Sequence, residues 1–134
     1  TGAILSADLF GMTTTNTDDL NIGQVLENTL PYFDYVAPMV YPSHYPPNFN
    51  GWKNPNQYVY EVVNFSMSKA VERALAASTT PLKLRPWLQD FDYGGNYGEA
   101  EVRAQIKATY DAGLTSWMIW DPGNKYTTGA FNKE

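Results

Sequence analysis

Aromatic and acidic residues recur together at four points of this chain, and that combination could do carbohydrate chemistry. Tryptophan, tyrosine and phenylalanine make up 15% of the 134 residues. Sugar rings present apolar C–H faces that lie against aromatic rings, while carboxylate, amide and imidazole groups hydrogen-bond the hydroxyls. A pair of carboxyl groups flanking a glycosidic bond can also hydrolyse that bond. The clusters therefore favour a carbohydrate ligand.

The clusters contain two groups of candidate site residues. The candidate catalytic residues are two aspartates, Asp8 and Asp90. The candidate substrate-binding residues carry an aromatic or hydrogen-bonding side chain, and they are Tyr41, His44, Tyr45, Trp87, Gln89, Asp92, Trp120 and Asp121. Each candidate also has a simpler interpretation, in which the aspartates form turns and the tyrosines and histidine pack within a loop.

Composition and charge argue against several other functions. The chain has 9 Lys plus Arg and 14 Asp plus Glu, a net charge of −5, so no basic surface for nucleic acid is predicted. It has no Cys and one His, and a metal site would have to rely on carboxylates, so no metal is predicted. No strand is followed by a glycine-rich nucleotide loop, so no cofactor is predicted. No apolar run approaches the roughly 18 residues needed to cross a membrane.

Four apolar strand segments alternate with three amphipathic segments, and these elements must position the clusters. The predicted strands cover 3–10, 34–41, 82–91 and 115–120, and the predicted helices cover 19–33, 57–77 and 99–112. We predict an irregular loop over 42–56 and a glycine-rich turn over 92–98. Asn21 and Gln24 form a predicted cap pair for the first helix, and Gly113 is the predicted stop of the third. Pro38 weakens the second strand prediction because proline removes a ladder donor.

This alternation predicts an α/β fold with parallel strands and helical crossovers. Two architectures fit four such strands: an open doubly wound sheet, or half of an eight-stranded barrel. In both, the ligand face lies at the carboxyl ends of the strands, so the four clusters should converge on one mouth. Trp117 and Trp120 should lie on opposite faces of the last strand, one in the core and the other facing that mouth.

Four segments of the chain resemble a known family in order and spacing. They resemble the last four strand ends of the putative glycoside hydrolase family of bacterial TIM-barrel domains of unknown function, and they are 6–11 (SADLFG), 37–45 (APMVYPSHY), 85–91 (RPWLQDF) and 117–122 (WMIWDP). The resemblance covers essentially the whole chain. It implies that residues 1–134 are a single partial domain, strands five to eight of a (β/α)8 barrel.

The resemblance also implies roles for the aspartates. The family's strand-four aspartate, in an Asp-Tyr-Ile-Arg-like motif, has no counterpart here, which leaves Asp8 as the surviving partner of a carboxylate pair. Asp8 would be the general acid/base or nucleophile, and Asp90 a second carboxylate or a ligand for a sugar hydroxyl. The separation of such a pair would distinguish retaining chemistry, at about 5 Å, from inverting chemistry, at about 6.5 to 9.5 Å.

Two alternatives to a polysaccharide hydrolase remain open at this point. One is a non-catalytic glycan-binding or self-assembling half-barrel, and the other is a small doubly wound domain with a different ligand. The first predicted strand begins at residue 3 without an earlier partner, so we expect exposed sheet edges. A homodimer that completes the barrel is therefore the expected protein partner. Secretion or a bacterial cell envelope is the location that the glycan interpretation favours.

Overall fold

The computed structural model describes residues 2–131, which contain a four-stranded parallel sheet. The strands are β1 (Ser6–Phe10), β2 (Tyr35–Met39), β3 (Trp87–Gln89) and β4 (Met118–Trp120). They lie in the sheet in chain order, and each neighbouring pair is parallel. The predicted α/β class with parallel strands is confirmed.

The crossovers contain helices of unequal length. They are α1 (Leu26–Thr29), α2 (Val59–Ala76) and α3 (Glu99–Asp111). Short 3-10 turns complete the described elements, at Gly11–Thr14, Leu30–Tyr32, Pro42–His44, Pro55–Gln57, Pro81–Lys83 and Thr128–Phe131. None of the helices within residues 2–131 is long and apolar enough to span a bilayer.

The core lies between one face of the sheet and helices α2 and α3. Leu9, Val36 and Leu88 come from three different strands, and all are buried in the same apolar cluster. The helices contribute the other buried side chains, which include Val63, Met67, Ala70, Ala74, Val102 and Ile106. Because side chains alternate along a strand, the neighbours of these strand residues lie on the opposite face, where Asp8 and Trp120 are exposed.

The end of α3 confirms the predicted glycine stop. Gly113 follows the helix with a φ of +88°, a backbone conformation that residues other than glycine rarely adopt. At the other end, the backbone N–H of Gly98 donates to Glu101 Oε2 at 3.0 Å. This bond satisfies a donor that the first helical turn leaves unpaired.

The first predicted helix is wrong over most of its length. Helix α1 has only four residues, and Leu20 and Asn21 have φ values of +53° and +55°. The carboxylates of Asp18 and Asp19 accept hydrogen bonds from the backbone N–H groups of Leu20 and Asn21. Such local turns compete with helix formation. Gln24 is not part of a cap pair, since its Oε1 accepts from Phe10 N at 2.7 Å.

The strands are shorter than predicted, and prolines account for part of the difference. Ile4 and Leu5, inside the first predicted strand, are exposed and precede β1. In the third predicted strand, residues Pro81–Lys83 form a 3-10 turn and Leu84 makes one isolated bridge to Val36 before β3 begins. Pro38, in contrast, lies within β2 opposite Leu9 without breaking the strand.

The strand order and the positions of the helices can be compared with the two architectures that the sequence left open. In a doubly wound sheet the strand order reverses at a switch point, and helices cover both faces. Here the order is β1-β2-β3-β4, and α2 and α3 share one core with a single face of the sheet. The opposite sheet face, which carries Asp8 and Trp120, is called the open face below.

Candidate functional site

Asp8 of β1 and Trp87 of β3 are in contact on the open face, although β1 and β3 are not neighbouring strands. Asp8 lies in the middle of β1, and Trp87 begins β3. The indole Nε1 of Trp87 donates to Asp8 Oδ1 at 2.9 Å. Ala37 of β2 is the register partner of Asp8 and lies between the two strands. Its small side chain leaves room for the indole ring to reach across β2.

Trp120 extends the aromatic surface from β3 to β4. Its ring and that of Trp87 have centroids 6.1 Å apart at an interplanar angle of 81°, an edge-to-face contact. Trp120 is 42% exposed, whereas Trp117 packs against the core and donates from its indole N–H to the Tyr110 hydroxyl. The expectation that one tryptophan is in the core while the other faces outward is confirmed.

Tyr41 follows β2, and the negative charge of Asp8 is one of the causes that change the pKa of its hydroxyl. Burial raises the pKa of the Tyr41 hydroxyl, and the negative charges of Asp8 and of ionised Tyr126 raise it further. Tyr41 therefore keeps its proton at neutral pH and can act as a hydrogen-bond donor. Tyr126 is 37% exposed and was not among the predicted site residues, because it lies in a turn segment with no pattern of its own.

The His44 ring lies near three other aromatic rings, those of Tyr41, Phe91 and Tyr93. The centroid of its imidazole ring is 5.5 Å from that of Tyr41, 6.0 Å from that of Phe91 and 5.9 Å from that of Tyr93. His44 is exposed, and its Nδ1 lies 2.9 Å from the hydroxyl of Ser43. The loops after β2 and β3 thus meet, as the prediction of a common mouth requires.

Gln89 is fully buried and is hydrogen-bonded to the loop after β2, which carries Ser43 and His44. Its amide contacts Ser43 and the carbonyl of Phe91. Its backbone is held in turn by Gln105, whose Oε1 accepts from Gln89 N at 2.9 Å and whose Nε2 donates to Gln89 O at 2.8 Å. Gln105 was not among the site residues predicted from the sequence. The available signal was a polar residue beside Val102 and Ile106 on the buried stripe of α3.

The remaining predicted carboxylates accept hydrogen bonds from other groups of the chain. Asp90 is 4% exposed, and both of its oxygens accept from Thr127, at 2.7 Å from the backbone N and 2.6 Å from Oγ1. Asp121 is buried and accepts from the backbone N–H of Lys125 at 2.8 Å. Asp92 accepts from Tyr97 N at 2.7 Å. Asp90 and Asp121 are therefore buried as well as hydrogen-bonded, whereas Asp8 and Asp92 have exposed side chains.

Tyr45 is separated from the open face. It is buried, its hydroxyl lies 2.7 Å from Ser66 Oγ on α2, and its ring packs against Phe49. Burial raises the pKa of Tyr45 to about 12, an effect that hydrogen bonding with Ser66 and Thr14 partly offsets. These contacts are those of a side chain that anchors the 42–56 loop to α2.

Metal ligation finds no support in the described part of the chain. Among residues 2–131, no three His, Asp or Glu side chains lie close enough together to hold an ion. A shallow hollow of about 340 Å³ lies at the opposite end of the strands, lined by residues that include Ile4, Asp34 and Leu82. It is remote from the carboxyl ends of the strands, where the aromatic and acidic residues meet.

The fold and this surface define an α/β protein whose candidate ligand face lies on one side of a parallel sheet, toward the carboxyl ends of its strands. Residues 1–126 match the model of a family described as "putative glycosyl hydrolase domain", and the chain belongs to that family. The family indicated by the strand-end motifs is thereby confirmed. No protein of curated function matched the chain.

Proposed function

We propose that the open face binds a carbohydrate, and that in a complete barrel the same face hydrolyses an O-glycosidic bond of a polysaccharide. The observation that carries this proposal is the exposed Asp8 carboxylate, oriented by the Trp87 indole beside the Trp120 ring. Membership of the glycosyl hydrolase family supports the same assignment.

The geometry gives each group a distinct task. Trp87 and Trp120 offer aromatic surface for the C–H face of a sugar, and Tyr41 offers a hydroxyl donor. Asp8 uses Oδ1 for the bond from Trp87, and within residues 2–131 its Oδ2 has no hydrogen-bond partner. That oxygen is therefore the one we assign to the substrate, as acid/base or nucleophile.

Hydrolysis needs a second carboxyl group, and the described residues favour a partner from outside this sheet. Asp90 and Asp121 are buried and accept from Thr127 and Lys125. Asp92 is exposed and accepts from Tyr97 N in the loop after β3, and within residues 2–131 no hydrogen bond joins any of the three to Asp8. This observation favours a second candidate function for the chain alone, in which it binds a glycan without cleaving it.

The sheet itself is proposed to be half of an eight-stranded barrel, corresponding to strands five to eight. Support comes from the chain-order strands, from α2 and α3 on a single face, and from the polar and aromatic open face. A second copy of the chain is the partner that we propose to complete it, because the outer edges of β1 and β4 are unpaired within residues 2–131.

Binding is tested by titrating the chain with soluble β-glucan, α-glucan, xylan and chitin oligosaccharides and following tryptophan fluorescence. Replacing Trp120→Ala is expected to weaken binding at least about tenfold, equivalent to about 1.4 kcal/mol. Tyr32→Ala is the matched control, because Tyr32 is 76% exposed on a turn outside the open face. Equal loss in both variants, or no binding by the unmodified chain to any probe, contradicts the proposal.

Hydrolysis is tested with Asp8→Asn, using reducing-end release from any polysaccharide that binds. The amide oxygen still accepts from Trp87, so binding should persist while hydrolysis falls by about 10² to 10⁴-fold. Asp34→Asn is the control, since Asp34 is also exposed and also accepts from a single N–H, that of Leu5. Binding without hydrolysis by the unmodified chain establishes the second candidate function. Unchanged hydrolysis in Asp8→Asn removes Asp8 from the chemistry.

A further inference from the structure

The buried amide of Gln89 has only one orientation that satisfies its neighbours. Gln89 Oε1 lies 3.3 Å from the backbone N of Ser43, and Nε2 lies 2.9 Å from the carbonyl oxygen of Phe91. A backbone N–H can only donate and a carbonyl oxygen can only accept. Reversing the amide would place donor against donor and acceptor against acceptor, so Oε1 must face Ser43.

The orientation of Gln89 decides the direction of the Ser43 hydrogen bond. Ser43 Oγ lies 3.0 Å from Gln89 Oε1, and this oxygen can only accept. The single hydroxyl proton of Ser43 is therefore directed to Gln89. The hydroxyl oxygen keeps its lone pairs for a second contact.

That second contact is His44 Nδ1, at 2.9 Å from Ser43 Oγ. Because the Ser43 proton is already committed, Nδ1 must donate. A neutral imidazole carries one N–H, so Nε2 then holds a lone pair and is an acceptor. Within residues 2–131 no side chain or backbone group is hydrogen-bonded to Nε2, and the His44 side chain is exposed.

We propose that Gln89, acting through Ser43, holds His44 in the Nδ1–H tautomer and thereby presents Nε2 as an acceptor for a sugar hydroxyl. The tautomer follows from the hydrogen-bond chain alone, whereas the identity of the ligand rests on the proposed glycan-binding function. Tyr41 places His44 near the carboxyl ends of the strands, since Tyr41 follows β2 and its ring contacts that of His44. Gln89 and Ser43 are positioning residues, and His44 is the group that touches the ligand.

The tautomer is measured directly by ¹⁵N NMR of the imidazole nitrogens in the ligand-free chain. His44 is the one histidine in the sequence, so its signals need no further assignment. At a pH of about 9, where imidazole side chains are neutral, Nδ1 should show a protonated, pyrrole-type shift and Nε2 an unprotonated, pyridine-type shift. The Nδ1–H form should dominate by about tenfold, the ratio that one net hydrogen bond sustains. A predominant Nε2–H form overturns the proposal.

Variants of Ser43 separate the hydrogen-bond chain from general effects on the loop. Ser43→Ala removes the acceptor for Nδ1–H, and the Nδ1–H population should fall several-fold. Ser43→Thr restores the hydroxyl and should restore the tautomer, while Ser68→Ala, a partly buried serine of α2, should leave it unchanged. A Ser43→Ala spectrum identical to that of the unmodified chain contradicts the relay.

Addition of a glycan probe that binds tests the ligand. The Nε2 resonance should move toward lower frequency as Nε2 accepts a hydrogen bond, and Trp120→Ala should abolish that change. If a probe binds and Nε2 does not move, the acceptor role of His44 is wrong although the glycan site stands. If no probe binds, the proposed function and the ligand assignment both fail, while the tautomer is still decided in the ligand-free chain.

Discussion

Asp8 and Asp90 carry the same carboxyl group, and their surroundings give them different tasks. Asp8 is exposed on the open face and is held by one bond, from the Trp87 indole. Asp90 is almost fully buried, and Thr127 occupies both of its oxygens. A carboxylate that is fully hydrogen-bonded by its own chain is a structural group, whereas one with a free oxygen can meet a substrate. We therefore keep Asp8 as the proposed acid/base or nucleophile, and the catalytic role of Asp90 stays a prediction.

A second residue of interest is Glu27, which forms a bidentate ion pair with Arg73. Arg73 Nε and Nη2 both donate to the Glu27 carboxylate. Arg73 Nη1 donates to the backbone carbonyl oxygens of Thr13, Thr14 and Asn16. The hydrogen bond from Arg73 lowers the pKa of Glu27 below its ordinary value of 4.5, although partial burial opposes that shift. The pair connects α2 to the segment that follows β1.

We predict that Glu27→Gln destabilises the fold at pH 7 and that this difference disappears in acid. Because the pKa of Glu27 is lower in the folded than in the unfolded chain, its contribution is complete above about 4.5 and is lost as the pH falls through the folded-state value. Glu27 is 37% exposed, so solvent screens the pair. We expect a loss of about 1 kcal/mol.

The measurement is urea unfolding at pH 7 and in acid. Glu72→Gln is the control, since Glu72 forms an exposed pair with Lys69 on α2. Its removal should cost less than about 0.5 kcal/mol at pH 7. A Glu27→Gln deficit that persists unchanged in acid would show that packing, not ionisation, is responsible.

At the scale of elements, the side chain of Gln105 takes the place of a strand. Pairing between β2 and β3 ends at Met39 and Trp87, and the Val40 N–H makes the last bond, to Trp87 O. Beyond that point the N–H and C=O of Gln89 are bonded to the amide of Gln105 on α3. The helix therefore completes the hydrogen bonding of β3 where the loop toward His44 departs.

We predict that Gln105→Leu destabilises the chain by about 2 to 4 kcal/mol, because it leaves two buried backbone groups of Gln89 without partners. Gln105→Glu should fall in between, since a carboxylate accepts from Gln89 N but cannot donate to Gln89 O. Gln57→Leu, at an exposed position, is the control. Urea unfolding measures all three. A Gln105→Leu variant as stable as the unmodified chain would show that the amide is not required.

The loop over 42–56 is also more ordered than its composition indicates. Its proline and asparagine content predicts an irregular segment, and it does lack a long helix or strand. The rings of Phe49 and Trp52 nevertheless pack against Phe65 of α2, and Trp52 stacks on Tyr58 at an interplanar angle of 21°. This aromatic cluster anchors the loop that carries Ser43 and His44.

At the scale of the whole molecule, the main feature is the open face of the sheet. It carries Trp87, Trp120 and Asp8, and within residues 2–131 no helix covers it. Parallel sheets are usually buried on both faces, and exposed edge strands favour pairing with another chain. Closure with a second copy would bury both edges and convert two open faces into one barrel interior.

We therefore predict a dimer with a mass of twice 15.1 kDa, measured by light scattering over a concentration series. Ser6→Arg places a charge on the open face of β1, within the interior of a closed barrel, and should shift the equilibrium to monomer. Thr17→Arg adds the same charge on an exposed turn outside the sheet and should leave the mass unchanged. A monomer at all concentrations that melts cooperatively would rule out closure by a second copy.

Features that depend on local pattern could be predicted from the chain alone. The alternation of apolar strands with the periodic helices α2 and α3, the glycine stop at Gly113 and the acidic and aromatic clusters were all legible from residues near one another in the chain. The prediction of a helix was wrong over 19–25. The apolar residues there have helical spacing, but Asp18 and Asp19 form turns.

Which of these residues lie together depends on the folded structure. The bond between Trp87 and Asp8 joins positions 79 residues apart, on two strands that are separated by β2. The burial of Asp90 and the clamp by Gln105 likewise depend on neighbours brought by other elements. Periodicity predicts the element on which a side chain lies, but its partners and free atoms follow from packing between distant segments. Those partners distinguish a structural carboxylate from one that can meet a ligand.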